Sequence, residues 1–251
     1  MDRASGRWGF FRRFLYQGAV FVVPRAVRGI FDYSINGSSN IHRYPEGHPV
    51  IYCGNHRSHL DSLVLATAVA THGRRYLAFM AAGKVMASNP VLGLLKYLGG
   101  FPVFKENPAP ALKYAELSLR SGFAVAIYPE GRRFASRKPS EGRTGVARIL
   151  EKLNFDVPVI PFYIHGSREA IRGIKRHVRN RVLVAFDAPM HFQSFRAIKD
   201  SYQRLRSVTD SIVARITDLM HVTEAEILEK YERSRGILDF TRPTEYPWSN
   251  P

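Results

Sequence analysis

Residues 50–61, VIYCGNHRSHLD, decide the fold of this chain. Four apolar residues that end at Gly54 are typical of a short buried strand. From Ser58 onward apolar residues recur at helical spacing, Ser58 itself is a helix N-cap signal, and Gly73 can end the helix. The stretch therefore predicts a buried strand that leads directly into an amphipathic helix.

Short apolar runs and amphipathic stretches alternate on both sides of this unit. We predict strands at 101–104, 123–128, 157–164 and 181–186, and helices at 89–98, 111–120, 143–153 and 202–220. A last helix is predicted to begin at Thr223, where Glu226 completes a capping box. The alternation predicts a single α/β domain with a central, mostly parallel or mixed sheet flanked by helices.

The composition adds a constraint on the surface. The chain has 251 residues and is 45% hydrophobic, which is enough for one folded domain. Lys and Arg number 37 against 21 Asp and Glu, a net charge of +16. Such an excess predicts attraction to anionic lipid, an acidic carrier protein, phosphate esters or nucleic acid, and composition alone does not choose among them.

Residues 1–33 form a basic and aromatic leader. Its longest uncharged stretch, 14–24, is much shorter than the roughly 20 residues that cross a bilayer, and no signal-peptide cleavage pattern follows it. We predict an amphipathic helix that lies at the membrane interface; the alternative is a basic leader packed on the domain. The α/β domain is expected at 34–240 and an irregular tail at 241–251.

The turn between the first strand and helix carries His56 and Asp61. In a continuous helix these side chains would point away from each other, so they meet only if His56 precedes the helix and Asp61 lies in its first turn. A carboxylate that accepts from one imidazole nitrogen leaves the other free to take a proton from an alcohol. The alternatives are a capping-box role for Asp61 and a purely structural turn histidine.

Two neighbours of this pair offer other chemistry. His59 invites a metal site with His56 and Asp61, but no further His, Cys or carboxylate falls at helpful spacing, so we predict no metal. Cys53 is the only cysteine, which excludes an intramolecular disulfide and is compatible with a reducing compartment. Its apolar strand predicts a core residue rather than a nucleophile.

Four blocks, in order, resemble the glycerolipid acyltransferase family that contains the bacterial 1-acylglycerol-3-phosphate acyltransferases. They are residues 55–61 (NHRSHLD), 99–105 (GGFPVFK), 128–134 (YPEGRRF) and 157–161 (VPVIP). The first matches the family's histidine and aspartate separated by four residues. The resemblance implies that His56 is a general base oriented by Asp61, and that the chain is an acyltransferase.

The resemblance also implies an acceptor-binding set, namely Lys105, Glu130, Gly131 and Arg133. Lys105 stands where the family usually has an arginine that contacts the acceptor phosphate, and Arg133 is expected to share that contact because a guanidinium binds phosphate in two places. Glu130 is expected to help organise the acceptor site. Backbone amides near Gly131 or at the helix start are expected to stabilise the oxyanion.

The implied reaction is direct transfer of a fatty acyl group from acyl-CoA or acyl-carrier protein to the hydroxyl of a lysophospholipid, with no bound cofactor. The expected acceptor is 1-acyl-sn-glycerol 3-phosphate, which gives phosphatidic acid in phospholipid biosynthesis. Arg132 and Phe134 replace small hydroxyl residues of the family's third block. Another lysolipid or a glycolipid is therefore the alternative acceptor.

The expected partners are an anionic bilayer surface and the acyl donor, at the cytoplasmic side of a membrane, with the protein peripheral or monotopic. A basic stretch of the chain suits either partner: Arg172, Lys175, Arg176, Arg179 and Arg181. The rival from another class is a non-catalytic basic module that binds lipid or nucleic acid. We do not expect nucleic acid, because the sequence carries no zinc-finger or RNA-recognition signature.

Overall fold

The structure, a computed structural model, describes residues 18, 21–73, 76–88, 99–104, 106–133, 141–176 and 179–235. The predicted helix at 89–98, Lys105, the tail and most of the leader lie outside the described residues. The division into leader, domain and tail stays a prediction.

A single seven-stranded sheet forms the centre of the domain. Its strands are β1 (Asp32–Asn36), β2 (Val50–Gly54), β3 (Leu77–Ala82), β4 (Gly100–Val103), β5 (Ala124–Ile127), β6 (Val159–His165) and β7 (Arg181–Phe186). They lie in the order β1-β7-β6-β2-β5-β3-β4, and every pair is parallel except β6 and β7. The predicted mixed, mostly parallel α/β sheet is confirmed.

Helices connect the strands and cover the sheet. They are α1 (21–30), α2 (Ser39–His42), α3 (Asp61–Gly73), α4 (Gly83–Ser88), α5 (Ala109–Arg120), α6 (Gly145–Lys152), α7 (Ser167–Lys175) and α8 (Ser201–Arg235). No helix among the described residues combines the length and apolarity that a membrane span needs. Within α1, Val27 is buried in the core, whereas Phe21, Val22 and Ile30 are exposed.

Alternate residues of β2 enter two separate hydrophobic clusters. Ile51 and Cys53 pack on one face of the sheet with α5, α6 and α8, and Val50 and Tyr52 pack on the other with α1, α3 and α7. A parallel strand covered on both faces needs the continuous apolar run that the sequence shows. Cys53 is fully buried and burial raises the pKa of its thiol, which confirms its prediction as a core residue.

The strand order brings three carboxyl ends together. β2 lies between β6 and β5, and all three run parallel, so the residues that follow Gly54, Ile127 and His165 meet at one edge of the sheet. Gly54 is required there because a Cβ would lie 2.3 Å from the ring of Phe162 on β6. The site is built at this edge, where ligand sites of α/β sheets usually lie.

The C-terminal helix differs from the prediction. The sequence predicted one helix at 202–220 and another from Thr223, but α8 is continuous over 35 residues. No glycine or proline interrupts the chain there, so the apparent capping box lies inside the helix. Glu226 instead accepts a hydrogen bond from Asn36 of β1 (3.2 Å), and Thr223 is buried. The capping-box prediction was therefore wrong.

A buried carboxylate connects α5 to α6. The side chain of Glu116 is 5% exposed and lies 3.0 Å from Arg120 Nε, 3.2 Å from Lys113 Nζ and 3.9 Å from Lys152 Nζ. The hydrogen bond from Arg120 is the main cause that lowers the pKa of Glu116, against the opposing effect of burial. The ionised carboxylate thus stabilises the folded state.

We expect Glu116→Gln to lower the free energy of unfolding at neutral pH. Because the folded-state pKa is depressed, the contribution of Glu116 is complete above its unfolded pKa, about 4.3, and is lost as the pH falls through the folded value. Urea unfolding followed from neutral to acid pH should show the two proteins converging in acid. Glu46→Gln, which removes an exposed carboxylate, is the control, and a deficit independent of pH would contradict the prediction.

Candidate active site

His56 and Asp61 are brought together at the carboxyl end of β2. His56 lies in the loop after the strand, and Asp61 is the first residue of α3. His56 Nδ1 is 2.8 Å from Asp61 Oδ2. The predicted contact between the two side chains is confirmed, and so is the reason for it, since the helix begins after His56.

The protonation of the imidazole follows from this contact. A carboxylate only accepts hydrogen bonds, so in the neutral imidazole Nδ1 carries the proton and Nε2 keeps its lone pair. The carboxylate of Asp61 is fully buried, whereas the side chain of His56 is 22% exposed. The pair therefore joins a buried, fixed carboxylate to a partly exposed imidazole, an arrangement suited to a general base.

Asp61 also organises the turn before α3. Its Oδ2 accepts the backbone N–H groups of Arg57 (2.7 Å) and Ser58 (2.8 Å), and Ser58 Oγ in turn accepts the N–H of Leu60 (3.1 Å). This is a reciprocal arrangement of the capping-box kind. The capping role and the contact with His56 are therefore two functions of one carboxylate rather than alternatives.

A hydroxyl from another part of the chain completes the surroundings of Asp61. Ser167, the first residue of α7, donates from Oγ to Asp61 Oδ1 at 2.5 Å, and both residues are buried. The sequence did not point to Ser167. It follows β6, and only the pairing of β6 with β2 places it beside Asp61.

The turn after β5 packs against His56. The ring of Tyr128 stacks on the imidazole, with centroids 4.2 Å apart and planes inclined by 18°. Burial raises the pKa of Tyr128, and the nearby charge of Asp61 raises it further, so this ring stays neutral. Its hydroxyl is 3.0 Å from Ser62 Oγ. The stacked ring fixes the tilt of the imidazole and was not predicted from the sequence.

Glu130 contacts the chain's own backbone. Its Oε1 accepts the N–H of His56 at 3.3 Å, and the residue is buried. The family resemblance assigned Glu130 to the acceptor site, and the structure shows it in contact with the loop that carries the imidazole.

Two arginines lie beside the Gly131 turn. Gly131 has φ of +64°, a conformation that favours glycine, and a Cβ there would lie 2.6 Å from Arg143 Cδ. The N–H of Arg143 donates to Pro129 O (2.7 Å), which joins this second segment to the turn. Arg133 is exposed nearby. Burial lowers the pKa of His59, and the charge of Arg133 lowers it further.

The structure thus joins five of the six predicted site residues at one edge of the sheet: His56, Asp61, Glu130, Gly131 and Arg133. Lys105 lies outside the described residues. Across the described segments, no three His, Cys, Asp or Glu side chains are grouped so that they could hold a metal ion.

Known proteins similar to this chain are named as acyltransferases. Glycerol-3-phosphate acyltransferase of Pseudoalteromonas atlantica is 28% identical over 164 residues, which cover 61% of this chain and 20% of the relative. Probable 1-acyl-sn-glycerol-3-phosphate acyltransferase of Mycoplasma pneumoniae is 28% identical over 169 residues, 61% of this chain and 62% of the relative. 1-acyl-sn-glycerol-3-phosphate acyltransferase of Bacillus subtilis is 26% identical over 173 residues, which cover 68% of this chain and 80% of the relative. The chain therefore spans less than two thirds of the first two relatives.

A solved structure and a family model agree with these relatives. The crystal structure of the 1-acyl-sn-glycerophosphate (LPA) acyltransferase PlsC from Thermotoga maritima superposes with a TM-score of 0.59 at 24% identity, covering 82% of this chain and 80% of that one. This likeness shows a shared fold. The model of the family described as Acyltransferase matches residues 35–165, just over half of the chain, and includes the end of β1, all of β2 to β6, and His56, Asp61 and Glu130. The chain belongs to the acyltransferase family.

Proposed function

We propose that this chain is an O-acyltransferase that moves a fatty acyl group from acyl-CoA or acyl-carrier protein to the hydroxyl of a lysophospholipid. The proposed acceptor is 1-acyl-sn-glycerol 3-phosphate and the product phosphatidic acid. The observation that carries the proposal is the contact of His56 Nδ1 with the buried Asp61, which leaves Nε2 available as a base. Relatives named for this reaction support the choice of acceptor.

The proposed mechanism is direct transfer. His56 Nε2 takes the proton of the acceptor hydroxyl as its oxygen attacks the thioester carbonyl, and Asp61 stabilises the imidazolium that forms. Collapse of the tetrahedral intermediate breaks the carbon–sulfur bond, and the imidazolium returns the proton to the departing thiolate. Glu130 and Tyr128 hold the loop and the ring of His56 during both proton transfers.

The acceptor phosphate is proposed to bind beside the Gly131 turn. Arg133 and Arg143 are both exposed there, and no carboxylate within the described ranges pairs with either guanidinium. Arg143 is held in place through the backbone of its neighbour, because Arg206 of α8 donates to Gly142 O at 2.8 Å. A guanidinium presents two parallel donors to a phosphate, which a lysine at position 105 does not.

We expect Arg133→Gln to raise KM for the phosphorylated acceptor by about tenfold while kcat falls by less than about threefold, since it removes a binding contact and leaves the base intact. Initial rates at varied acceptor concentration check this. Arg148→Gln on α6, where Arg148 is exposed, is the matched control with the same loss of charge. A KM that stays unchanged in Arg133→Gln would contradict the assignment.

A lipid surface is the proposed partner. Phe21, Val22 and Ile30 of α1 are exposed, and the guanidinium of Arg25 lies 3.5 Å from the ring centroid of Phe21. Arginines of the adjoining region are exposed too: Arg172, Arg176 and Arg179, the last of which donates to the backbone of α1 at Arg28 O (2.6 Å). Apolar and cationic side chains on one surface suit anionic headgroups, consistent with a peripheral or monotopic protein at the cytoplasmic side. Flotation tests this proposal: the protein should float with anionic vesicles but not with zwitterionic vesicles.

The proposed reaction is tested by one acyl donor and a panel of acceptors. The panel contains 1-acyl-sn-glycerol 3-phosphate, glycerol 3-phosphate, a lysophospholipid with a larger headgroup, a glycolipid and an uncharged monoacylglycerol. The highest kcat/KM with the first acceptor supports the proposal. The highest kcat/KM with another compound means that this compound is the preferred acceptor and contradicts the proposed one. If the protein transfers no acyl group to any acceptor but binds nucleic acid or lipid at physiological salt, the non-catalytic module is favoured.

A further inference from the structure

Ser167 is held at the point where β6 turns into α7. The preceding residue, Gly166, has φ of +79°, and a Cβ on it would lie 2.1 Å from Arg181 O, so the chain turns sharply against β7. Ser167 is 1% exposed and its Oγ is 2.5 Å from Asp61 Oδ1. It lies just beyond the region that the family model matches.

The two oxygens of Asp61 have different partners. Three donors, which are His56 Nδ1 and the N–H groups of Arg57 and Ser58, converge on Oδ2. Within the described part of the chain, Ser167 is the one donor to Oδ1. The hydroxyl of Ser167 thus fixes the rotation of the carboxylate about its Cβ–Cγ bond, from the side opposite to His56.

We propose that Ser167 is a positioning residue of the acyl-transfer reaction, the outer member of a hydrogen-bonded series from Ser167 through Asp61 to His56. The inference rests on the proposed function. Without this hydroxyl a buried carboxylate oxygen loses its partner, and rotation of the carboxylate would give that oxygen a share of the donors at Oδ2. His56 would then be aligned by Asp61 in only part of the molecules, so the chemical step slows while acceptor binding stays the same.

Ser167→Val and Ser167→Thr separate the hydroxyl from the shape of the side chain, because valine and threonine have nearly the same form. We expect kcat of Ser167→Val to be about tenfold below that of Ser167→Thr, the effect of one charge-assisted hydrogen bond, with equal KM for acceptor and donor. Ser118→Val is the control, since Ser118 is also buried and its hydroxyl donates to the backbone at Tyr114 O, away from the site.

A double-mutant cycle distinguishes positioning from a structural role. In an Asp61→Asn background, Ser167→Val should change kcat by less than about twofold, because the carboxylate it aligns is absent. If the full tenfold loss persists in that background, or if Ser167→Val and Ser167→Thr have equal kcat, the inference is overturned. Should the branched variants not fold, Ser167→Ala, which adds no volume, carries the same comparison against Ser118→Ala.

The two proposals fail in different ways. If the unaltered protein transfers no acyl group to any acceptor of the panel, the proposed function fails. If the unaltered protein is active and the Ser167 variants match their Ser118 controls, only the positioning role fails.

Discussion

Replacing His56 with alanine is expected to lower kcat for acyl transfer by about 10²- to 10⁴-fold, the contribution of a positioned general base. The imidazole is the one group of the site that combines a fixed tautomer, a free ring nitrogen and partial exposure. Without it the acceptor hydroxyl has to lose its proton to water. KM for the phosphorylated acceptor should change little, since the arginines beside Gly131 remain.

The fold of the His56→Ala variant should persist. Asp61 would keep the N–H groups of Arg57 and Ser58 and the hydroxyl of Ser167, so its buried carboxylate stays hydrogen-bonded. Circular dichroism and thermal unfolding check this point. His72→Ala, at the far end of α3, is the matched control for loss of an imidazole. Full activity in the His56→Ala variant would remove His56 from the mechanism.

The local part of the site could be predicted from the sequence. His56 and Asp61 are five residues apart, and the apolar strand, the N-cap signal at Ser58 and the following helical spacing together require that the imidazole precede the helix. The same reasoning predicted β2, β5 and β7 almost to the residue. Elements with strong apolar patterns and clear ends are those that one sequence specifies best.

The contacts that join distant segments could not be predicted in the same way. Glu130 reaches His56 across the pairing of β5 with β2, and Ser167 reaches Asp61 across the pairing of β6 with β2. Both depend on strand order, which no local pattern encodes. The strands β1 and β3 were missed because β1 has polar residues at three of its five positions and β3 ends in small residues. The capping box predicted at Thr223 was wrong because its residues make tertiary contacts instead: Glu226 accepts from Asn36, and Thr223 is buried.

The Glu130 contact adds a structural role to the third block in this chain. The resemblance implied a glutamate that helps organise the acceptor site, which stays a prediction, and the structure shows that the buried carboxylate accepts the backbone N–H of His56. Arg133 of the same turn and Arg143 of the neighbouring segment are exposed to solvent. In the proposed mechanism this turn has two tasks: the carboxylate of Glu130 holds the loop of His56, and Arg133 is available to an anionic substrate.

Asp61→Asn is the second substitution for which we expect a large effect, a fall in kcat of about 10²- to 10⁴-fold. An amide has the shape of the carboxylate but no charge to stabilise an imidazolium. The effect on kcat should be non-additive with His56→Ala, because both substitutions remove the same proton transfer. The double variant should be no slower than His56→Ala alone.

Stability measurements on Asp61 separate its catalytic role from its role in the turn. Asp61→Ala leaves the N–H groups of Arg57 and Ser58 without their acceptor, and each buried donor left unpaired costs about 1–3 kcal/mol. Asp61→Asn keeps an oxygen for these donors, so its free energy of unfolding should lie between those of the unaltered protein and Asp61→Ala. Urea unfolding measures this order, and kcat is measured on the same samples. If Asp61→Asn kept both full activity and full stability, the carboxylate would be no more than a helix cap, and the alignment of His56 would need another cause.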